Sequence, residues 1–205
     1  VADGARSQLG RVLGREWHRD TAFGVAARGY VNSARSDDPW ISSHLELRGT
    51  DGELLSGYGW VFPLSGGQVN IGVGTLATAS RPAHVNLRSL LAHYARMRRD
   101  DWQLEGAVRA QWSALLPMGG AVSGIAGPNW VLVGDAAGCV NPLNGEGIDY
   151  GLESGMLAAD LFVDDPATAP ARYDELVGER FDAFMRTGHR FAFLMGRRRQ
   201  HRFRC

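Results

Sequence analysis

The stretch from Val131 to Ile148, VLVGDAAGCVNPLNGEGI, constrains the fold more than any other part of the chain. Trp130 to Val133 is a short apolar run with two valines, the composition of a buried strand in a layered α/β core. Gly134 and Asp135 end it. An acid at the carboxyl end of such a strand points into the crevice where doubly wound sheets hold their cofactors, and its carboxylate can accept hydrogen bonds from ribose or ribityl hydroxyls. Asn144, Gly145, Glu146 and Gly147 are then expected to expose backbone amides at a helix start, where unpaired donors and the positive dipole end favour an electron-rich ligand edge. The pyrimidine edge of a flavin, which becomes anionic when the ring is reduced, suits that position; the dimethyl edge gains nothing there. The plainer alternative is a strand, loop and helix whose glycines only make the turn. Against it, the acid, the proline and the glycines fall in the order a flavin site needs.

At 205 residues the chain is long enough for one large domain or two small ones. Its apolar runs are far short of a bilayer span and it opens on no signal segment, so the expected setting is the cytosol. Cys139 and Cys205 imply no disulfide framework, and no Cys and His spacing suggests a metal. The formal charge is zero, which gives no argument for nucleic acid. All the basic charges are arginine, so lysine nucleophiles and Schiff bases are excluded from this segment. Arg197, Arg198, Arg199, Arg202 and Arg204 crowd the end; a solvated terminus is favoured there over a patch that meets anionic lipid headgroups. The opening VADGARSQLGR has no initiating Met and turns already at Asp3 and Gly4, so it reads as the interior of a domain. No GxGxxG follows a strand anywhere. A pyrophosphate-binding turn is therefore expected in preceding sequence, and residues 1–205 alone are expected to bind FAD weakly.

From about Ala26 to Leu76 the pattern is an antiparallel meander. Ser43 to Leu47 alternates, with Leu45 and Leu47 on one face. Thr50, Asp51 and Gly52 make a hairpin turn, Glu53 to Leu64 is a strand rich in aromatics, and Gln68 to Thr75 alternates through Val69, Ile71 and Val73. Such a sheet would wall a pocket. After Arg81 and Pro82 the spacing of Leu87, Leu90, Leu91, Tyr94 and Met97 predicts a helix. Ala107 to Met118 is extended. A long helix is expected from Gly147, with Gly151, Gly155 and Ala159 letting its backbone approach a neighbouring layer, and another after Pro170 with Tyr173, Leu176, Val177, Phe181 and Phe184 at helical spacing. With no linker between these parts, the two sheets are expected to share one continuous interface.

Three segments taken together, ADGARS at Ala2 to Ser7, GYGWVFPLSGGQVNIGVG at Gly57 to Gly74, and GDAAGCVNPLNGEGI at Gly134 to Ile148, resemble the geranylgeranyl reductase family of flavoproteins. The likeness covers the chain to about Asp165. The absence of Lys and the run RGYVNSARSDDPWISSHLEL are similar to an actinobacterial branch whose members saturate an isoprene unit of the menaquinone tail. The resemblance implies a mixed α/β chain of the p-hydroxybenzoate hydroxylase fold, with an FAD-binding Rossmann-like part and an antiparallel-sheet substrate domain. Its expected divisions are 1–20 (remnant of the FAD-binding domain), 21–125 (substrate domain), 126–165 (return of the FAD-binding domain) and 166–205 (helical segment). It further implies that Asp3, Gly4 and Ser7 help hold the dinucleotide, that Gly134 and Asp135 serve the flavin's sugar, and that Pro142, Gly145 and Gly147 form the family's PxxGxG element, with Asn144, Glu146 and the Ile148 amide beside the isoalloxazine. Tyr58, Trp60, Phe62 and Pro63 match its YxWxFP signature, which lines the substrate cavity. Alternate residues of a strand share a face, and an isoprenoid offers no polar handle, so apolar area and shape must recognise it.

The implied reaction is hydride transfer from reduced FAD to an isolated alkene of a menaquinone-like lipid, without metal or nucleic acid and with peripheral contact at the inner face of the membrane as a further expectation. No residue announces itself as the proton donor; Tyr58, Glu146 and Cys139 are candidates by position, and solvent relayed through bound water stands beside them. Alternatives on the same fold are a monooxygenase of aromatic or quinone rings, a reductase of geranylgeranyl diphosphate or lipid, and a flavin halogenase; a non-catalytic module that binds a prenyl lipid or a protein is the alternative of a different class.

Overall fold

The computed structural model describes residues 1–18, 21–78 and 85–198, and the side chains of these except 189 and 192–198. Arg81 and Pro82 lie outside the described residues, as do Arg199, Arg202, Arg204 and Cys205, and with them the reading of the arginine-rich end. In chain order the elements are α1 (Gln8–Val12), β1 (Glu16–Trp17), β2 (Phe23–Ser33), β3 (Ser42–His44), β4 (Gly57–Pro63), β5 (Gln68–Ala77), α2 (Leu87–Met97), β6 (Leu104–Pro117), β7 (Val122–Ser123), β8 (Ala126–Gly127), β9 (Trp130–Val131), α3 (Ile148–Asp164) and α4 (Ala169–Arg198). They divide into two compact units, one of Val1–Gly24, Thr78–Arg81 and Leu115–Cys205, the other of Val25–Ala77 and Pro82–Ala114.

The second unit is built on a five-stranded sheet in the order β3-β4-β5-β2-β6, with β3, β4 and β5 successively antiparallel. Ser65, Gly66 and Gly67 turn β4 into β5 through left-handed backbone at φ 62°, 62° and 81°, which glycine adopts without cost. Alternation then sorts the faces. Val61, Val69, Ile71, Val73, Ala27 and Val31 are buried in one core with Leu90, Leu91 and Tyr94 of α2. Asn86 caps that helix, its Oδ1 accepting from the Ser89 N–H at 3.1 Å. The opposite face carries Tyr58, Trp60 and Phe62, all half-buried.

Several expectations for this unit are corrected. Leu45 is 76% exposed while Leu47 is 1% exposed, because β3 ends at His44 and the alternation does not outlast the strand. The aromatic strand begins at Gly57, and Leu54 lies before it in an isolated bridge to Arg48. Met97, at the end of α2, is exposed.

In the first unit, β9 pairs with β8 in a short antiparallel hairpin. Val1 flanks it on the pattern of a parallel neighbour: its amino group donates to the Val131 carbonyl at 2.7 Å, and the Val133 N–H donates to the Val1 carbonyl at 3.0 Å. Val131 and Leu132 are buried with Ala158 and Leu161 of α3 and Tyr173, Val177, Phe181 and Met185 of α4. The Tyr173 hydroxyl donates to the Leu132 carbonyl at 2.8 Å, so the buried strand end keeps no unpaired acceptor there. Of the three small residues expected to bring α3 close to a neighbour, only Gly151 does so, against Gly134; Gly155 faces open space and Ala159 is exposed. No helix of the described residues is long and apolar enough to cross a membrane.

Candidate functional site

Within the first unit, the turn after β9 opens on a cleft of about 450 Å³, inside the range of about 300–1,000 Å³ usual for ligand sites. Gly134, Asp135, Gly145, Gly147 and Ile148 line it, joined by Leu116, Val140, Gly151 and Leu152. Asp3, Gly4, Ser7, Pro142, Asn144 and Glu146 are not among its lining residues.

Local chemistry explains the turn. Gly134 takes φ 58° and starts a single 3-10 turn, Gly134–Ala137, which Gly138 closes at φ 71°. The Ser154 hydroxyl of α3 accepts from the Gly134 N–H at 3.0 Å, and Gly134 and Gly151 meet backbone to backbone. Asp135 is half-buried, and its carboxylate has no hydrogen-bond partner among the described residues. Burial pushes its carboxyl above the ordinary carboxylate range. Gly147 packs closely: a Cβ there would stand 3.2 Å from Asp135 Oδ1 and from Val140 Cγ2, so those side chains would have to give by a few tenths of an ångström.

The loop from Asn141 to Gly147 is ordered by Asn141, which sequence reasoning passed over. Its N–H donates to the Glu146 carbonyl at 2.7 Å, its carbonyl accepts from the Gly145 N–H at 2.8 Å, and its Oδ1 accepts from the Leu143 N–H at 2.9 Å. The Glu146 N–H donates to Asn144 Oδ1 at 3.0 Å. Two of the four amides expected to face a ligand, those of Gly145 and Glu146, are therefore engaged within the loop. The first turn of α3, which Gly147 opens without a side-chain cap, adds the Ile148 amide, while the Tyr150 N–H donates to Asp149 Oδ1 at 2.7 Å. Pro142 is fully buried, and Gly188 of α4 lies against it, a Cβ built there standing 2.8 Å from Pro142 Cγ.

Asp3 and Ser7 serve the start of α1. The Ser7 hydroxyl donates to Asp3 Oδ1 at 2.6 Å and accepts from the Gly10 N–H at 3.1 Å, while Asp3 Oδ2 accepts from the Leu9 N–H at 3.1 Å. These bonds, the Ser7 hydroxyl first, hold the Asp3 carboxyl below its ordinary value. Arg15, a second residue the sequence did not single out, is 5% exposed and donates from Nε to the Ala136 carbonyl at 2.6 Å and from Nη2 to the Ala5 carbonyl at 3.1 Å. It ties the Asp3–Ser7 segment to the turn that follows Asp135.

Of the proton-donor candidates, Cys139 is buried and its thiol is pushed up to about 12, chiefly by that burial. Glu146 is exposed, and desolvation followed by its neighbour Asp149 raises its carboxyl. Tyr58 lies in the second unit. There the ring centroids of Tyr58 and Trp60 are 5.8 Å apart and those of Trp60 and Phe62 6.2 Å apart, a continuous row with Pro63 at the strand end. Among the described residues no group of three His, Cys, Asp or Glu could hold a metal ion.

Among solved structures, the chain is similar to a geranylgeranyl bacteriochlorophyll reductase-like protein from Thermoplasma acidophilum (TM-score 0.70, 23% identity, 93% of this chain and 48% of that one). It is similar also to an HpxO variant from Klebsiella pneumoniae complexed with FAD (TM-score 0.54, 18% identity, 93% of this chain and 50% of that one). The fold is thus the one shared by flavin-dependent reductases and hydroxylases, mixed α/β with antiparallel sheets. No family model matches the chain. By sequence it is a homologue of menaquinone reductase: it is 60% identical over 196 residues to that of Mycolicibacterium smegmatis, 95% of this chain and 48% of the relative. Digeranylgeranylglycerophospholipid reductase 1 of Methanosphaera stadtmanae is 29% identical over 161 residues, 78% of this chain and 38% of the relative. The resemblance carried by the three sequence segments is borne out, and the chain spans about half the length of the curated relatives it matches.

Proposed function

We propose that this chain is part of an FAD-dependent oxidoreductase that saturates an isoprenoid C=C bond, the menaquinone tail being the substrate its homology favours. The observation that carries the reading is 60% identity to a menaquinone reductase over a region that includes both the Asp135 cleft and the aromatic row. The residues present suit a flavin: a half-buried carboxylate with no hydrogen-bond partner among the described residues, a glycine packed close to it, and a helix start beside them. Bound and reduced, FAD would supply the hydride.

In this reading Asp135 accepts from sugar hydroxyls, and the first-turn amides of α3 at Gly147 and Ile148 meet the electron-rich edge of the ring. Gly134, Gly145 and Pro142 shape the turn. Asn144 and Glu146 brace it through the Glu146 amide. Asp3, Gly4 and Ser7 form the dinucleotide segment by holding backbone in place, since the Asp3 and Ser7 side chains are committed to α1. Tyr58, Trp60, Phe62 and Pro63 supply apolar area for a substrate with no polar handle along its tail. Cys139 keeps its proton at neutral pH and serves packing.

The test is to reduce the flavin of the protein anaerobically with dithionite, add menaquinone-bearing membranes, and follow lipid mass. A gain of two hydrogens in the tail, lost on Asp135→Ala or Trp60→Ala, supports the reductase. No gain of hydrogen, with a gain of oxygen once air and reductant are supplied, moves the protein to the hydroxylases of the same fold.

A further inference from the structure

The register of β4 on β5 sets each aromatic opposite a residue that cannot compete with it for space. Tyr58 pairs with Gly74, Trp60 with Gly72 and Phe62 with Asn70. The indole of Trp60 leans over the glycines: a Cβ on Gly72 would overlap indole Cζ2 and Cε2, and one on Gly74 would stand 3.7 Å from Cζ3. Its Nε1–H donates to Asn70 Oδ1 at 2.9 Å, on the same sheet face. Gly72 has ordinary backbone for a strand, and a glycine inside a strand weakens it unless something needs the space.

These contacts do two things to a tryptophan. They fix the ring along β5, between Tyr58 and Phe62, in place of the several rotamers open to a half-buried side chain. They also spend its one polar atom inside the sheet. An indole N–H without a protein partner would hold water or ask the ligand for an acceptor. Satisfied by Asn70, the indole can present a hydrocarbon face.

We propose that Asn70 is a positioning residue for binding of an isoprenoid chain: it holds Trp60, for which Gly72 leaves room on β5, with its N–H turned toward the sheet. The inference rests on the reductase reading. Asn70 acts through Trp60, so its contribution must disappear when the indole N–H is absent.

The experiment is a double-mutant cycle on the flavin-loaded protein, with KM and kcat for menaquinone measured separately and flavin content and melting temperature recorded for each variant. Asn70→Leu is expected to raise KM about tenfold with kcat changed less than about twofold, the pattern of lost ground-state binding. Asn70→Asp keeps the acceptor and restores KM to within about threefold of the wild type. In a Trp60→Phe background, Asn70→Leu adds less than about a twofold change, because coupled residues are not additive. Should Asn70→Leu fail to fold, Asn70→Ser, too short to reach the indole nitrogen, makes the same test. Effects of Asn70 and Trp60 that simply multiply, or an unchanged KM in Asn70→Leu, overturn the positioning role while leaving the reductase reading intact. A wild-type protein that holds flavin and yet turns over no isoprenoid overturns both.

Discussion

Arg15 and Ala136 are joined by a 2.6 Å hydrogen bond from the guanidinium Nε to the backbone carbonyl, across 121 positions of sequence. The same side chain donates to Ala5 and lies 5.8 Å from the centre of the Trp17 ring. Its burial lowers the guanidinium's proton affinity, and Asp3 partly restores it. Arg15→Leu leaves two carbonyls of this region without their donor. It is expected to cost about 2–3 kcal/mol of stability, readable as a lowered urea midpoint at constant slope. A change below about 0.5 kcal/mol would mean that water replaces the guanidinium without loss.

Asp135 has the opposite electrostatic problem, a carboxylate with no hydrogen-bond partner among the described residues. Its native carboxyl binds a proton more tightly than the unfolded chain, for which the value is 3.8. Native stability from this group is therefore greatest below that value and falls as pH rises through the elevated native one. Asp135→Asn is expected to raise the urea midpoint of the flavin-free protein at pH 7, with the difference from wild type shrinking as the pH approaches 3.8. The same variant should bind flavin at least about tenfold more weakly, since a hydrogen bond to a charged acceptor contributes about 1.5–3 kcal/mol. A lower midpoint at pH 7 would show that the native carboxylate is held by favourable contacts.

Gly188 braces the loop of the cleft from behind. A valine there must displace Pro142, 2.8 Å away, and Leu143, 3.4 Å away. The expected cost is about 1–3 kcal/mol of overpacking, with Gly188→Ala at the low end. Because Pro142 precedes Gly145 and Gly147, flavin retention on gel filtration should fall with stability. Full retention in Gly188→Val would show that the loop moves as a rigid piece.

His44 should mark the acid side of the second unit's stability. Its Nδ1 lies 2.6 Å from the Tyr94 hydroxyl, and burial first, then Arg98, lowers its proton affinity. The neutral ring is the native form, so its contribution is complete above the unfolded value of 6.5 and is lost as pH falls through the lowered native value. Wild-type denaturation midpoints are expected to drop between pH 7.5 and pH 5.5, and His44→Asn to flatten that slope. Equal slopes in the two proteins would remove His44 as its cause.

What the sequence made legible was whatever a local pattern encodes. The alternation through Val69, Ile71 and Val73, the stripe from Leu87 to Tyr94, and the Gly134–Ile148 segment all express their structure within a few residues. The same reasoning failed at Leu45, where a three-residue strand ends before its period can act. Arg15 and Asn141 were invisible because their partners are backbone carbonyls and amides, which carry no residue type to read. Ser7 and Asp3 look alike as ligand holders or as a helix start, and their hydrogen bonds identify the helix start. Asn70 required a register, since its link to Trp60 runs diagonally across two strands.

One of the two edge strands of the five among the described residues, β6, is also the longest at 14 residues, and most of it is exposed. One row of its backbone donors and acceptors faces away from β2, a template on which a second chain could add a strand. The exposed Glu105 puts charge on that strand, Arg109 reaches back to Asn32 Oδ1 of β2 at 2.7 Å, and the 68% exposed Trp112 offers a second chain a grip. Self-association of these residues is therefore expected to start at this edge: neutralising Glu105 should hasten clumping, and a charge in place of Trp112 should delay it.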